Sequence, residues 1–151
     1  MEHQIVNLIK GRALMLKVIN GLSIEQVNKI PEGFKNNIAW NIAHLVVTPQ
    51  LLCYKLSGLP CDVSDEMIEA YRKGAAPTRD ITVEEFDEIK KLFVELPLKM
   101  EADFKAGIFK EYTPYETSVG VTLSSAEEAF SFGLFHEGIH LGVLLGLRKL
   151  V

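Results

Sequence analysis

Apolar residues recur at every third or fourth position through four long stretches of the chain, and this periodicity limits the possible folds. Such spacing aligns apolar side chains along one face of an α-helix. The pattern predicts helices over about 2–20, 36–56, 82–104 and 124–150. Because each helix must bury its apolar face and strand patterns are scarce, we predict an all-α fold, a four-helix bundle.

Capping residues mark several helix starts. A Ser or Thr followed three residues later by Glu or Gln is typical of a helix N-terminus. This spacing occurs in the pairs Ser23–Gln26, Thr82–Glu85 and Ser124–Glu127. We expect short extra helices in the connections, one after Ser23 and one over about 64–71, and a short extended piece over 117–123.

Prolines lie inside two of the predicted long helices. Pro49 and Pro97 each lack a backbone N–H group and crowd the carbonyl four residues earlier. We therefore expect a kink at each position, the first of them one turn after His44.

The length and charge of the chain restrict its class. Its 151 residues correspond to one domain, 1–151. The formal net charge is -4 and no cluster of Lys and Arg is present, so we expect no nucleic-acid partner.

The sequence has no basic amphipathic stretch, no run of 18 apolar residues and no signal-peptide pattern. We predict a cytoplasmic protein with no membrane partner, in which Cys53 and Cys61 are reduced.

Three of the four histidines fall on the apolar stripes of predicted helices. His136 and His140 are one helical turn apart, and His44 lies on another core helix. A lone buried histidine is more often a hydrogen-bonded core residue than a metal ligand. Three together are better explained by a divalent ion, because an open catalytic site takes three ligands from protein. We predict His44, His136 and His140 as metal ligands.

The segment from His136 to His140 also matches the His-Glu-x-x-His pattern of zinc peptidases. Peptidase activity is disfavoured, because only 11 residues follow His140 and Val143 and Gly146 stand where a longer peptidase motif has Gly and His. Glu137 is a candidate catalytic base beside the metal, or else a residue of the solvated face.

The segments Asn37–Leu45 and His136–Gly142, the latter followed by Leu147 and Arg148, resemble the two metal motifs of the DinB-like superfamily, in particular its YfiT-type metal-dependent hydrolases. This resemblance implies a four-helix bundle with a crossover connection, frequently a homodimer. It also implies that nickel or zinc is held by His44, His136 and His140. Relatives include transferases of low-molecular-weight thiols and a mycothiol-dependent isomerase. The proline after His44 departs from the pattern and affects the expected substrate class more than metal binding.

Two functions remain open. One is a metal-dependent hydrolase or thiol transferase with an open water position and a small-molecule or thiol substrate. Arg12 and Tyr54 are then candidate polar groups of the pocket, or else packing residues. The alternative is a non-catalytic, metal-stabilised dimer that serves as a binding or stress-response module. A fourth protein ligand would favour the alternative.

Overall fold

The computed structural model describes residues 2–151 and contains six α-helices and one short hairpin within that range. The helices are α1 Glu2–Ile19, α2 Ile24–Asn28, α3 Ile38–Pro49, α4 Asp65–Tyr71, α5 Val83–Ala106 and α6 Ala126–Leu147. Strands β1 Tyr115–Glu116 and β2 Thr122–Leu123 pair antiparallel in the α5–α6 connection. The predicted all-α bundle with short extra helices is confirmed.

The four long helices form the bundle. Helix α1 packs against α5 and α6, and α3 packs against the same two helices from the other side. The apolar core has two parts, one around Ile42, Phe93 and Leu144 and the other around Tyr54 and Phe130. Both are built from the apolar stripes that the sequence periodicity predicts. Buried polar residues, including Arg12, His44 and Glu137 of the site described below, accompany this apolar core.

Most of the helix starts follow the predicted capping chemistry. Ser23 and Thr82 form reciprocal capping boxes with Gln26 and Glu85. The prediction for α6 was wrong by one residue, because Ser125 is the N-cap and its side chain accepts a hydrogen bond from the Glu128 amide. The preceding serine has the same spacing to a Glu, so the spacing alone does not distinguish the two pairs.

The sequence predicts one continuous helix over 36–56, but the structure divides this stretch into three segments. Helix α3 ends at Pro49 and continues as a π-helical turn, Gln50–Tyr54, and a 3-10 turn, Lys55–Ser57. A proline cannot donate to the carbonyl one turn earlier, so the regular hydrogen-bond ladder is interrupted there. The wider turn changes which side chains face the core: Tyr54 is buried, whereas Leu51 is only partly covered.

Within residues 2–151, α6 is the one helix long and apolar enough to cross a membrane by length and composition. A helix that lines the core of a bundle meets the same criteria. One such helix is weak evidence for a membrane span, and α6 buries Ala129, Glu137 and Leu144 within the bundle.

Candidate metal centre

The structure brings the three predicted histidines together through their Nε2 atoms. His44 projects from α3, and His136 and His140 project from successive turns of α6. The Nε2 atom of His136 lies 3.3 Å from that of His44 and 3.1 Å from that of His140. The candidate ligand atoms of the three residues all lie within 4.8 Å of one another.

The opposite ring nitrogens of His44 and His140 are occupied by oxygen acceptors. His44 Nδ1 lies 2.7 Å from the Tyr71 carbonyl, which can only accept, so Nδ1 carries the proton. His140 Nδ1 lies 2.7 Å from Asn41 Oδ1. The Asn41 amide is oriented by its Nδ2 group, which donates to Asn37 O and Asn36 Oδ1. Both neutral rings therefore present an Nε2 lone pair toward His136.

Burial keeps these imidazoles neutral. Burial, followed by the neighbouring His44, lowers the pKa of His136 to about 4. Burial and the other two histidines lower the pKa of His140 to about 3. Burial also lowers the pKa of His44, although its bond to the Tyr71 carbonyl opposes the change. Neutral imidazole is the form that binds a metal.

The donor set fits a divalent metal ion. Facing lone pairs repel one another unless a proton or a cation lies between them, and a single divalent ion would satisfy all three Nε2 atoms at once. For tetrahedral zinc with Zn–N bonds of about 2.0–2.1 Å, the nitrogens are about 3.3–3.4 Å apart. The two measured Nε2 separations, 3.3 Å and 3.1 Å, are close to that value.

Trp40 packs against the face of the His44 ring. The ring centroids are 4.7 Å apart and the planes are inclined by 10°. Trp40 Nε1 donates to the Ala70 carbonyl at 3.2 Å, next to the Tyr71 carbonyl that accepts from His44. Helix α4 thus orients both rings, Trp40 through the Ala70 carbonyl and His44 through the Tyr71 carbonyl. The two residues are four positions apart on α3, which allows their rings to stack.

Glu137 is buried rather than part of a solvated face, with 7% of its surface exposed. Its Oε1 accepts from Arg12 Nε at 3.0 Å and from Arg12 Nη2 at 2.7 Å. Its Oε2 is buried and has no hydrogen-bond partner among residues 2–151. Burial raises the pKa of Glu137, and the charge and hydrogen bonds of Arg12 oppose that change. Its carboxylate is not among the ligand atoms that converge with the histidines.

Arg12 also binds two carbonyls that prolines leave without their helical donors. Arg12 Nη2 donates to Leu45 O at 2.6 Å, and Nη1 donates to Phe93 O at 2.9 Å. In a regular helix these carbonyls would accept from the residues four positions later, which are Pro49 and Pro97. Sequence reasoning missed this role, although two helical prolines and an arginine on an apolar stripe were the available signal.

The other candidate residues lie away from the histidines. Tyr54 is a packing residue whose hydroxyl donates to Asp103 Oδ2 at 2.7 Å. Cys53 is 1% exposed, and burial raises its pKa to about 12. Cys61 is partly exposed and lies near the Gln50 carbonyl. Both cysteines are free thiols.

A cavity of about 360 Å³ opens beside His44 and His136. Its wall includes Leu51, Leu52, Leu56 and Phe132, with Thr48 next to the histidines. His140 does not line it, so the cavity approaches the cluster from one side. The site therefore combines three converging nitrogens with an open approach from a largely apolar space.

A helical bundle with three converging histidines, one buried and two partly buried, defines a candidate metal-binding protein. The sequence model of the DinB superfamily matches residues 7–144. The chain therefore belongs to the DinB superfamily, as its two motifs predict. No curated protein matches the chain. Family and histidine cluster together fit a metal-binding protein of this superfamily.

Proposed function

We propose that this protein is a metal-dependent enzyme in which His44, His136 and His140 hold one divalent ion, zinc or nickel. The observation that carries the proposal is the convergence of the three Nε2 atoms while the Nδ1 atoms of His44 and His140 bind oxygen acceptors. Carbonyl and amide oxygens behind ligating imidazoles are characteristic of metal sites because they fix the tautomer.

Three protein ligands leave one position of a tetrahedral ion free for a reacting group. When bound, such an ion supplies Lewis acidity that lowers the pKa of a water or thiol ligand into the neutral range. The cavity beside His44 and His136 gives a small molecule or thiol access to that position. Hydrolysis and thiol transfer are the two reaction classes that this arrangement supports best.

We keep Glu137 as the proposed general base. A void of about 20 Å³ lies beside Glu137, His136 and Thr48. A buried water needs roughly 10–15 Å³ of such volume, so the void has room for about one. A water there would give the unpartnered Oε2 a hydrogen-bond partner, and Arg12 would hold the carboxylate in place through Oε1.

Peptidase activity is not part of the proposal. Strands β1 and β2 are two residues long, too short for an edge that binds an extended peptide.

We further propose a cytoplasmic homodimer. Helix α6 exposes Phe135 and Ile139 one turn apart, and also exposes Leu145 further along the helix. Exposed apolar side chains of this kind favour association with a second copy. A homodimer is compatible with the enzyme and with the alternative non-catalytic module, so dimer formation does not discriminate between these two functions.

Activity measurements on metal-loaded protein test the enzyme proposal. Purified protein loaded with zinc or nickel should hydrolyse activated esters or transfer a small thiol to an electrophile. His136→Gln should abolish the reaction, whereas His3→Gln, at an exposed position, should leave it unchanged. Metal-loaded protein that is inactive in both assays, with a fourth protein ligand detected by X-ray absorption, would favour the non-catalytic module instead.

A further inference from the structure

One continuous stripe forms a wall of the cavity beside His44. Thr48, Leu51, Leu52, Lys55 and Leu56 all line it. Their spacing continues the face of α3 that carries His44, through the π-helical and 3-10 turns that follow Pro49. The proposed metal ligand His44 and this cavity wall therefore lie on the same helical face. Residues on this wall lie close to anything that approaches the metal position.

The charges of this cavity have a single sign. Lys55 comes from the 3-10 turn, and Lys73 comes from the loop after α4. No Asp or Glu from the described part of the chain lines the cavity. Neither lysine belongs to any of the ion pairs formed among residues 2–151. The charged side chains that line the cavity are therefore both cationic, in a chain whose net charge is -4.

The remaining lining groups divide into an apolar part and a hydroxyl-bearing part. Phe132 and Tyr115 add aromatic surface to the leucines, whereas Thr117 and Ser118 bring hydroxyl groups from the hairpin. Hydroxyl and ammonium groups donate hydrogen bonds to anionic oxygens. The volume of about 360 Å³ lies at the small end of ligand pockets, which are roughly 300–1,000 Å³.

We propose that this cavity binds small organic anions that have an apolar body, with the anionic group at Lys55 and Lys73 and the body against Leu52 and Phe132. This assignment of substrate class rests on the proposed function, because it takes the cavity beside the histidines as the substrate site. Carboxylates, sulfonates and phosphates share the required chemistry. In this proposal the two lysines favour ligands that carry a negative charge. The group of the ligand that reacts would lie at the metal position.

A matched pair of fluorescent probes tests the proposal. Anilinonaphthalene sulfonate and N-phenyl-1-naphthylamine share the aromatic body and differ in the anionic group. In metal-free protein with EDTA, we expect the sulfonate to bind about five- to tenfold more tightly, since two partly exposed charge pairs contribute a modest preference. Working without metal matters, because a sulfonate could otherwise bind the ion itself.

The variant Lys55→Met/Lys73→Met should reduce that preference to near parity. A control variant, Lys10→Met/Lys17→Met, removes two exposed lysines from α1 and should keep it. Methyl NMR locates the probe: shifts should fall on Leu51, Leu52 and Leu56. Shifts confined to Ile139 and Leu145 would place the probe on the outer side of α6 and overturn the proposal.

The same titrations separate this proposal from the proposed function. Equal affinity for both probes, or a preference that survives the cavity lysine variant, would overturn the anion site even if the protein binds about one metal ion per chain. A lysine-dependent preference in a protein that cannot be loaded with zinc or nickel would support the anion site and sink the metalloenzyme proposal.

Discussion

Arg12 and Glu137 lie 125 residues apart in the sequence and form a buried ion pair, with Arg12 Nη2 2.7 Å from Glu137 Oε1. Only 3% of Arg12 is exposed. The pair joins α1 to the turn of α6 that carries His136, and the same guanidinium contacts α3 and α5 through Leu45 and Phe93. One side chain thus connects all four long helices beside the histidine cluster.

Removal of Arg12 should destabilise the fold strongly. Arg12→Met leaves Glu137 buried without its partner and two carbonyls without donors, which we expect to lower the free energy of unfolding by about 3–5 kcal/mol. Urea unfolding followed by circular dichroism measures the change. As a control, Arg79→Met removes an exposed ion pair with Glu85 and should have a much smaller effect. Equal effects of the two substitutions would contradict the role assigned to Arg12.

Pro97→Ala should partly compensate for the loss of Arg12. The substitution restores a backbone N–H group that can donate to the Phe93 carbonyl, which Arg12 otherwise serves. In the Arg12→Met background it should stabilise the protein by about 1 kcal/mol more than in the wild type. A double-mutant cycle from urea unfolding gives this coupling. Strictly additive effects would show that the Phe93 carbonyl does not depend on Arg12.

Metal-free protein should lose stability as the pH falls below about 6.5. In the folded state the pKa of His136 is lowered to about 4 and that of His140 to about 3, so the unfolded chain takes up protons first. Their contribution is complete above the unfolded pKa, about 6.5, and is lost progressively down to about pH 3, the folded pKa of His140. Glu137 acts in the opposite sense, because burial raises its pKa. Urea unfolding midpoints at pH 7.5 and 5.0, with EDTA present, measure the net pH dependence of stability that results from these opposing contributions.

The variant His136→Gln/His140→Gln isolates the histidine contribution to that pH dependence. It should flatten the difference between the two urea midpoints, whereas His3→Gln should reproduce the wild-type difference. An unchanged pH dependence in the double variant would mean that the two imidazoles do not hold lowered pKa values in the folded protein.

The two cysteines should differ sharply in reactivity. Burial raises the pKa of Cys53 to about 12 and leaves its sulfur inaccessible, whereas Cys61 is only partly covered. Iodoacetamide at pH 8 should therefore alkylate Cys61 first, with Cys53 reacting only after denaturation. Peptide mass spectrometry over a time course assigns each modification. Modification of both thiols at the same rate in native buffer would contradict the packing of Tyr54 and Cys53.

Sequence periodicity was sufficient to predict the four helices and the three histidines, because an apolar stripe fixes which side chains of a helix face inward. The spacing of four residues alone places His136 and His140 on one face of a helix. His44 lies on another helix, and we predicted that it meets them because its apolar stripe was also expected to be buried. The structure brings the three together as that expectation required.

Contacts between distant segments were beyond the reach of periodicity. The proximity of Arg12 and Glu137 depends on how α1 and α6 rotate against each other, which local spacing does not determine. At Pro49, where a kink is expected, the helix continues as a π-helical turn, Gln50–Tyr54, which periodicity does not predict. Lys73 reaches the cavity from a loop whose path has no periodic signal.

Elemental analysis of purified protein tests the central claim most directly. After incubation with zinc or nickel and removal of free metal, wild type and His3→Gln should each retain about one ion per chain. His44→Gln, His136→Gln and His140→Gln should each lose it while remaining helical by circular dichroism. Wild type that retains no metal under these conditions, or full retention in all three variants, would contradict the three-histidine site.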